Sequence, residues 1–215
     1  MLSDQYLGDA TSTVAPFDSK KIQMVEPESE YSGKGEYLRY RYTENGISPR
    51  LIPGKTEHLV AIDSDEHDER GWITESAEVR TRMMDKRMKK LESLKQELQE
   101  PEFIGDDNFE TLLIGWGSTW GPMEEAVHHL LNADKVGRYA ALVFGDVYPM
   151  PQRLLKEKAA KARRIINVEQ NATGQLAGLI REEPGIVWES SILKYDGRQI
   201  SGEEIAERIR KGETK

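Results

Sequence analysis

Cysteine is absent from the 215 residues. Its absence excludes disulfides, a thiol nucleophile, and any zinc or iron–sulfur site ligated by cysteines of this chain. If electrons pass through such a cluster, another polypeptide holds it. Long apolar runs are missing too. No stretch approaches the roughly 18 apolar residues of a membrane span, so the chain is not expected to cross a bilayer. Nor is there a basic excess: 38 acidic against 30 basic side chains leave a formal charge of −8. That balance argues against a broad nucleic-acid footprint and for a soluble, cytoplasmic protein. The opening Met1-Leu2-Ser3-Asp4 lacks the basic-then-apolar order of a secretory signal. What is present is a polar but foldable mixture, 37% hydrophobic and 32% charged, enough for one large domain or two small ones.

The pattern changes near Glu100-Pro101. Residues 1–75 are irregular and interrupted by Pro16, Pro27, Pro49 and Pro53. Within them Tyr37-Leu38-Arg39-Tyr40-Arg41-Tyr42 alternates as a strand does, and Asn45-Gly46 is a strong hairpin dipeptide. A β-hairpin returning through Ile47–Leu51 is expected there, with Pro49 confining the second strand to an edge. From Ala77 to Leu98, Val79, Met83, Met84, Met88, Leu91, Leu94 and Leu98 recur at helical steps. They predict a long helix within residues 76–101. Its other face carries Arg80, Arg82, Lys86, Arg87, Lys89 and Lys90, read as a solvated face that pairs with nearby acids.

After Pro101, strand, loop and helix alternate. Thr111–Ile114, Ala140–Phe144 and Arg164–Val168 read as buried strands, and Ile186–Trp188 and Ser191–Tyr195 as one or two more. Helices are expected after Pro122, over 152–162, over 175–182, and behind the capping sequence Ser201-Gly202-Glu203-Glu204. Alternating βαβ units make residues 102–215 an α/β domain, a mostly parallel sheet with helices on both faces.

Three motifs invite a chemical reading. Gly115-Trp116-Gly117-Ser118-Thr119-Trp120-Gly121 sits where such folds hold ligands, between a buried strand and a helix. Gly117, Ser118 and Thr119 are its weak cofactor-binding candidates, for an anion on the loop amides. The dinucleotide fingerprint, however, needs a glycine where Trp120 stands, and Asp146 is the only acid placed for a ribose. Asp63-Ser64-Asp65-Glu66-His67-Asp68-Glu69 gathers oxygen and imidazole groups, but a calcium loop needs glycine at Asp68 and glutamate at Thr74. It is read as a solvated acidic loop, with no metal site assigned. His128 and His129 are adjacent on a helix and face apart, and the sequon Asn171-Ala172-Thr173 is expected to be unused. No nucleophile triad, phosphate-cradling lysine loop or paired carboxylates of fixed spacing occur, so no catalytic residue is assigned. The residues alone leave a non-catalytic α/β interaction module and, behind it, a small nucleotide-binding domain as open readings.

Six segments taken together resemble one family. Leu2-Ser3-Asp4-Gln5-Tyr6-Leu7, Tyr37-Leu38-Arg39-Tyr40, Gly46-Ile47-Ser48-Pro49-Arg50, Glu66-His67-Asp68-Glu69-Arg70-Gly71, Ile114-Gly115-Trp116-Gly117-Ser118 and Asn171-Ala172-Thr173-Gly174-Gln175-Leu176 occur in this order. They are similar to the C-terminal part of the α subunit of 2-oxoacid:ferredoxin oxidoreductases, of the 2-oxoglutarate type. The resemblance implies oxidative decarboxylation of a 2-oxoacid with CoA to an acyl-CoA, with electrons passed to ferredoxin. It implies that residues 1–75 are a remnant of the pyrimidine-side thiamine domain, that residues 76–101 are a connector helix and linker, and that residues 102–215 are similar to the C-terminal domain of transketolase. By the same resemblance the chain starts inside the thiamine domain, without the family's Tyr-Pro-Ile-Thr-Pro segment. Thiamine diphosphate, magnesium and iron–sulfur clusters then belong to the assembled complex, none bound by this chain alone. The partners implied are a β subunit, further subunits of the oxidoreductase, and ferredoxin through the complex, with no nucleic acid and no membrane.

Overall fold

In the computed structural model, which describes residues 8–23, 35–133, 138–188 and 190–214, the run that begins at Thr111 forms the central strand of a five-stranded sheet. The strands are β1 (Glu102–Gly105), β2 (Thr111–Trp116), β3 (Tyr139–Phe144), β4 (Arg164–Glu169) and β5 (Ser190–Leu193), in spatial order β1-β3-β2-β4-β5. β2 is flanked by parallel neighbours, Thr111 lying opposite Tyr139 on one side and Arg164 on the other. β4 and β5 are also parallel, and only β1 runs antiparallel, on β3. The mostly parallel α/β architecture expected from the alternation is therefore present.

The helices are α1 (Ala77–Leu94), α2 (Trp120–Ala133), α3 (Arg153–Lys161), α4 (Gln175–Glu182) and α5 (Gly202–Lys211). Side chains alternate across a strand, so Leu113, Ile166 and Val168 face α2 and α5, packing with Met123, Val127, Leu130, Ile205 and Ile209. Leu112, Ile114 and Phe144 face the other way, onto Leu155 of α3 and Leu176 and Ile180 of α4. Most of these side chains are fully buried, each worth about 1.5–3 kcal/mol of transfer free energy. Ser201 caps α5 by accepting the Glu204 amide, and Gly212, at φ +70°, ends it.

The chain divides into two compact units, Thr13–Glu97 and Leu98–Lys215 with the described residues before Thr13. α1 lies in the first unit, the sheet in the second. Segment Leu2–Leu7, part of the resemblance, lies outside the described residues.

Of the one or two strands expected after residue 185, one is present, β5, and one strand expectation, the β-hairpin, is corrected. Ile186–Trp188 carries no ladder; Ile186 and Trp188 pack on the Leu112–Phe144 side of the core instead, so their apolar character reflects packing. The β-hairpin over 37–51 is also absent. The Asn45-Gly46 turn exists, with the Gly46 amide donating to Thr43 O, but no strands flank it. Their backbone groups are engaged elsewhere: the Tyr40 amide donates to Glu69 O, the Tyr42 amide to Glu69 Oε1, and the Ser48 hydroxyl to Arg41 O. Gly46 has φ +76°, and a Cβ there would lie 2.7 Å from the Lys86 carbonyl, so the turn is shaped by its seat on α1.

α1 also differs from its pattern. It ends at Leu94 rather than Leu98, and of its apolar stripe only Met83 is buried, whereas Met88 is 50% exposed. The basic side makes the ties instead. Arg80 and Arg87 reach Glu66, the Arg82 guanidinium lies 4.1 Å from the Tyr42 ring centroid, and Lys86 reaches Tyr40 O. In this unit, ion pairs and hydrogen bonds take the place that apolar burial holds in the sheet.

Candidate functional site

In an open parallel sheet, ligands bind beyond the carboxyl ends of strands that send their connections to opposite faces. Here those strands are β2 and β4: β2 leads into α2 on one face, and β4 into α4 on the other. The crevice lies between Trp116 and Glu169, and the glycine loop singled out in the sequence is at its lip. Gly117–Thr119 forms a single 3-10 turn running into α2. The Thr119 hydroxyl is turned inward, accepting the Trp116 amide and donating to the Trp116 carbonyl, both at 3.0 Å. Gly115 is required by close approach, since a Cβ there would meet Met123 Sδ at 2.3 Å and Thr119 Oγ1 at 2.6 Å.

The crevice is filled by an internal anion. Glu169 is fully buried, and its carboxylate accepts from Trp116 Nε1 (3.2 Å), Asn167 Nδ2 (2.8 Å), Asn171 Nδ2 (2.6 Å) and the Leu176 and Ala177 amides (3.0 and 3.2 Å). Those two amides open α4, so the carboxylate takes the place a bound phosphate would take at a helix N-terminus. Asn171 Oδ1 accepts the Thr173 and Gly174 amides, which ties the sequon side chain into the same turn. Asn167 Oδ1 is buried without a partner among the described residues. Five donors saturate Glu169, which fits it to lock β2, β4 and α4 together and leaves it no lone pair aimed outward.

Sequence reasoning missed Glu169 and Asn167. Their signal was two polar residues in the otherwise apolar strand Ile165-Ile166-Asn167-Val168-Glu169, at the end where α/β sheets place their sites. Asp146, the candidate ribose acid, accepts the Gln99 amide instead. Trp120 Nε1 donates to Glu102 Oε2 at 2.8 Å, tying the start of α2 to β1.

In the first unit, Asp63–Glu69 is more engaged with its neighbours than a solvated acidic loop. Glu66 is held by Arg87 at 2.7 Å and Arg80 at 2.5 Å; the hydrogen bond from Arg87, then that from Arg80, brings its carboxyl down to about 2. Buried His67 stacks on Tyr40 with centroids 3.7 Å apart. Asp68 Oδ1 takes the Arg70 and Trp72 amides. These acids are spent on local structure, and among the described residues no three His, Asp or Glu side chains gather as a metal site. His128 and His129 likewise form no such group with other side chains.

Among the described residues, the crevice between β2 and β4 offers thiamine diphosphate or an iron–sulfur cluster no seat. Cysteine is absent, no oxygen-ligand cluster occurs among the described residues, and the crevice fit for a diphosphate is occupied by Glu169 and the Trp116 indole. The first unit instead presents large apolar surface: Phe17, Leu59, Ile62, Trp72 and Ile73 are each at least 60% exposed. No helix among the described residues is long and apolar enough to cross a membrane.

Fold and site thus define a parallel α/β scaffold whose ligand crevice is closed by its own side chains. No protein-family model matches the chain. Relatives do. The α subunit of 2-oxoacid:ferredoxin oxidoreductase 2 of Aeropyrum pernix is 33% identical over 98% of this chain, and that of 2-oxoacid:ferredoxin oxidoreductase 1 of Sulfurisphaera tokodaii 32% over 97%. The chain spans about a third of the length of each, 33% in both. A solved 2-oxoglutarate:ferredoxin oxidoreductase from Magnetococcus marinus, with 2-oxoglutarate, coenzyme A and succinyl-CoA bound, superposes with a TM-score of 0.79. That match is 25% identical and covers 92% of this chain and 34% of the other. Over nearly its whole length the chain is similar to part of the α subunit of 2-oxoacid:ferredoxin oxidoreductases.

Proposed function

We propose that the chain is the scaffold and subunit-contact portion of the α subunit of a thiamine-diphosphate-dependent 2-oxoacid:ferredoxin oxidoreductase. The assembled enzyme decarboxylates a 2-oxoacid, 2-oxoglutarate in this reading, transfers the acyl group to CoA and reduces ferredoxin. Thiamine diphosphate, magnesium and the clusters sit on the rest of the α subunit and on a β subunit. Residues 1–75 are the remnant of the pyrimidine-side thiamine domain, residues 76–101 the connector and residues 102–215 the transketolase-like domain, all in the cytoplasm. The observation that carries the reading is the end-to-end match to one third of the α subunits. The exposed Trp72, Ile73 and Leu59 agree with it, because aromatic and large apolar side chains form the buried centres of interfaces.

The test is complementation. The chain is co-expressed with the remaining two thirds of a related α subunit and with its β subunit, and ferredoxin reduction is followed with 2-oxoglutarate and CoA. Co-purification with 2-oxoglutarate-dependent reduction is expected, and neither from this chain alone. Failure of both overturns the assignment. Co-purification without turnover would favour the second reading, a non-catalytic interaction module, for which the saturated Glu169 crevice speaks. That same filling speaks against a nucleotide-binding domain, and calorimetric titration with NAD or ATP is expected to show no binding.

A further inference from the structure

Lys86 is a half-buried amine in the middle of α1 that the reading above leaves without a task. Its Nζ donates to Tyr40 O at 3.0 Å and to Ser48 Oγ at 2.6 Å, and among the described residues it has no carboxylate partner. An ammonium group carries three N–H donors and a neutral amine two plus a lone pair. Two acceptors therefore satisfy the neutral amine completely and leave its lone pair uncommitted. The ammonium has to turn its third donor to solvent, which its half-burial makes costly.

The surroundings act in the same direction. Burial, then the charges of Lys90, Arg39 and Arg87, lower the Lys86 pKa to about 8, against an opposing pull from Glu69. The Tyr40 ring, 5.8 Å from Nζ and stacked on His67, also favours the cation without reversing the balance. Arg87 is engaged by Glu66, which leaves Arg39 and Lys90 as the cations able to attract a polyanion. A nucleophilic amine beside such cations suits an electrophile that carries phosphates.

We propose that Lys86 is an acylation site whose amine takes the acyl group of acyl-CoA thioesters. The supply of such a thioester next to this chain rests on the function proposed above. The neutral Nζ adds to the thioester carbonyl carbon; the C–N bond forms, the C–S bond breaks, and the thiolate leaves with the proton the nitrogen releases. No redox partner is needed. The resulting amide keeps one N–H, so either Tyr40 O or Ser48 Oγ loses its donor and the 40–48 turn loosens from α1.

The test uses the full chain and supplies the donor directly, so that its failure indicts this inference and not the functional reading. Succinyl-CoA and the succinyl thioester of N-acetylcysteamine, which has no phosphate, are each incubated with the protein between pH 7 and 10. Site-resolved rates are read by peptide mass spectrometry. A lysine of pKa 8 holds about a hundredfold more neutral amine at pH 8 than an ordinary one. Allowing for lower intrinsic nucleophilicity and partial burial, Lys86 is expected to react about tenfold faster than exposed Lys20, Lys55 and Lys89. Its rate is expected to level above about pH 8 while theirs keep rising, and the preference is expected to vanish in urea. Rates at Lys86 equal to or below those of the exposed lysines, or rising in parallel with them to pH 10, overturn the proposal. Equal rates at Lys86 from the two thioesters overturn its assignment to acyl-CoA.

Discussion

The two units solve the problem of stability differently. In the sheet unit, β2, β3 and β4 are sealed between α2 and α5 on one side and α3 and α4 on the other, and the core side chains are almost wholly inaccessible. In the first unit only Tyr37 and Met83 are buried apolar residues among those described, while Phe17, Leu59, Ile62, Trp72 and Ile73 stay in solvent. Its cohesion comes from Glu66 between two arginines, Glu69 on the Tyr40–Tyr42 backbone, and Lys86 on the 40–48 turn. One unit buries a full core and leaves few large apolar side chains outside it, Tyr148, Val187 and Tyr195 among them. The other has spent its polar groups internally and left its apolar ones for something else.

That contrast can be broken most forcefully at Glu169. Glu169→Ala strands five donors around a buried site and is expected to cost about 3–5 kcal/mol, read as an earlier urea transition of the sheet unit alone. Leu113→Ala, at the centre of the sheet, is expected to cost about 2–5 kcal/mol in the same assay. An intact transition after both changes would mean that the sheet unit is not held as described.

In the first unit the expected effects are smaller and depend on pH. Because the carboxyl of Glu66 sits at about 2 rather than 4.5, its contribution is fully present above about pH 4.5 and is lost as pH falls through 2. Arg80 is largely solvent-exposed, which holds that contribution to about 1–2 kcal/mol. Glu66→Gln is expected to remove the acid-dependent loss, seen by circular dichroism of the first unit between pH 5 and 2 as about that shift in stability. Lys86 depends on pH in the same sense, in a more alkaline window. With its folded pKa of about 8 below the unfolded 10.5, the unfolded chain binds more protons between these values, so its contribution grows more favourable from pH 8 to 10.5. Lys86→Met should abolish that rise in an unfolding series over this range. Trp72→Ala, the smallest effect, is expected to change the isolated chain by less than about 0.5 kcal/mol while weakening its co-purification with the rest of the α subunit.

How much of this was legible follows the same division. Strands β2, β3 and β4 could be read because the short apolar clusters Leu112–Ile114, Ala140–Phe144 and Ile165-Ile166 with Val168 have few outlets other than a strand covered on both faces. Gln175–Glu182 matches the expected helix residue for residue. β1 went unread because Phe103 and Ile104 are too short a run to signal a strand without the β3 edge they pair with. The hairpin failed for the opposite reason. Its local signals were sound, but backbone donors at Tyr40 and Tyr42 found partners in Glu69, twenty-seven residues from Tyr42, and no strand propensity encodes that competition. Glu169 was hidden because a buried carboxylate is recognised by the donors that surround it, and these come from β2, β4 and the turn into α4. The proposed function came from resemblance alone, since no reacting constellation occurs among the described residues.

The central claim is that the first unit leaves more of its large apolar side chains uncovered than the sheet unit does. Hydrogen–deuterium exchange on the chain, before and after addition of the remaining two thirds of a related α subunit, measures this directly. Slowed exchange around Leu59–Ile73, with β2 and β4 unchanged, is the expected result. Protection confined to the sheet unit, or none in either, would contradict it.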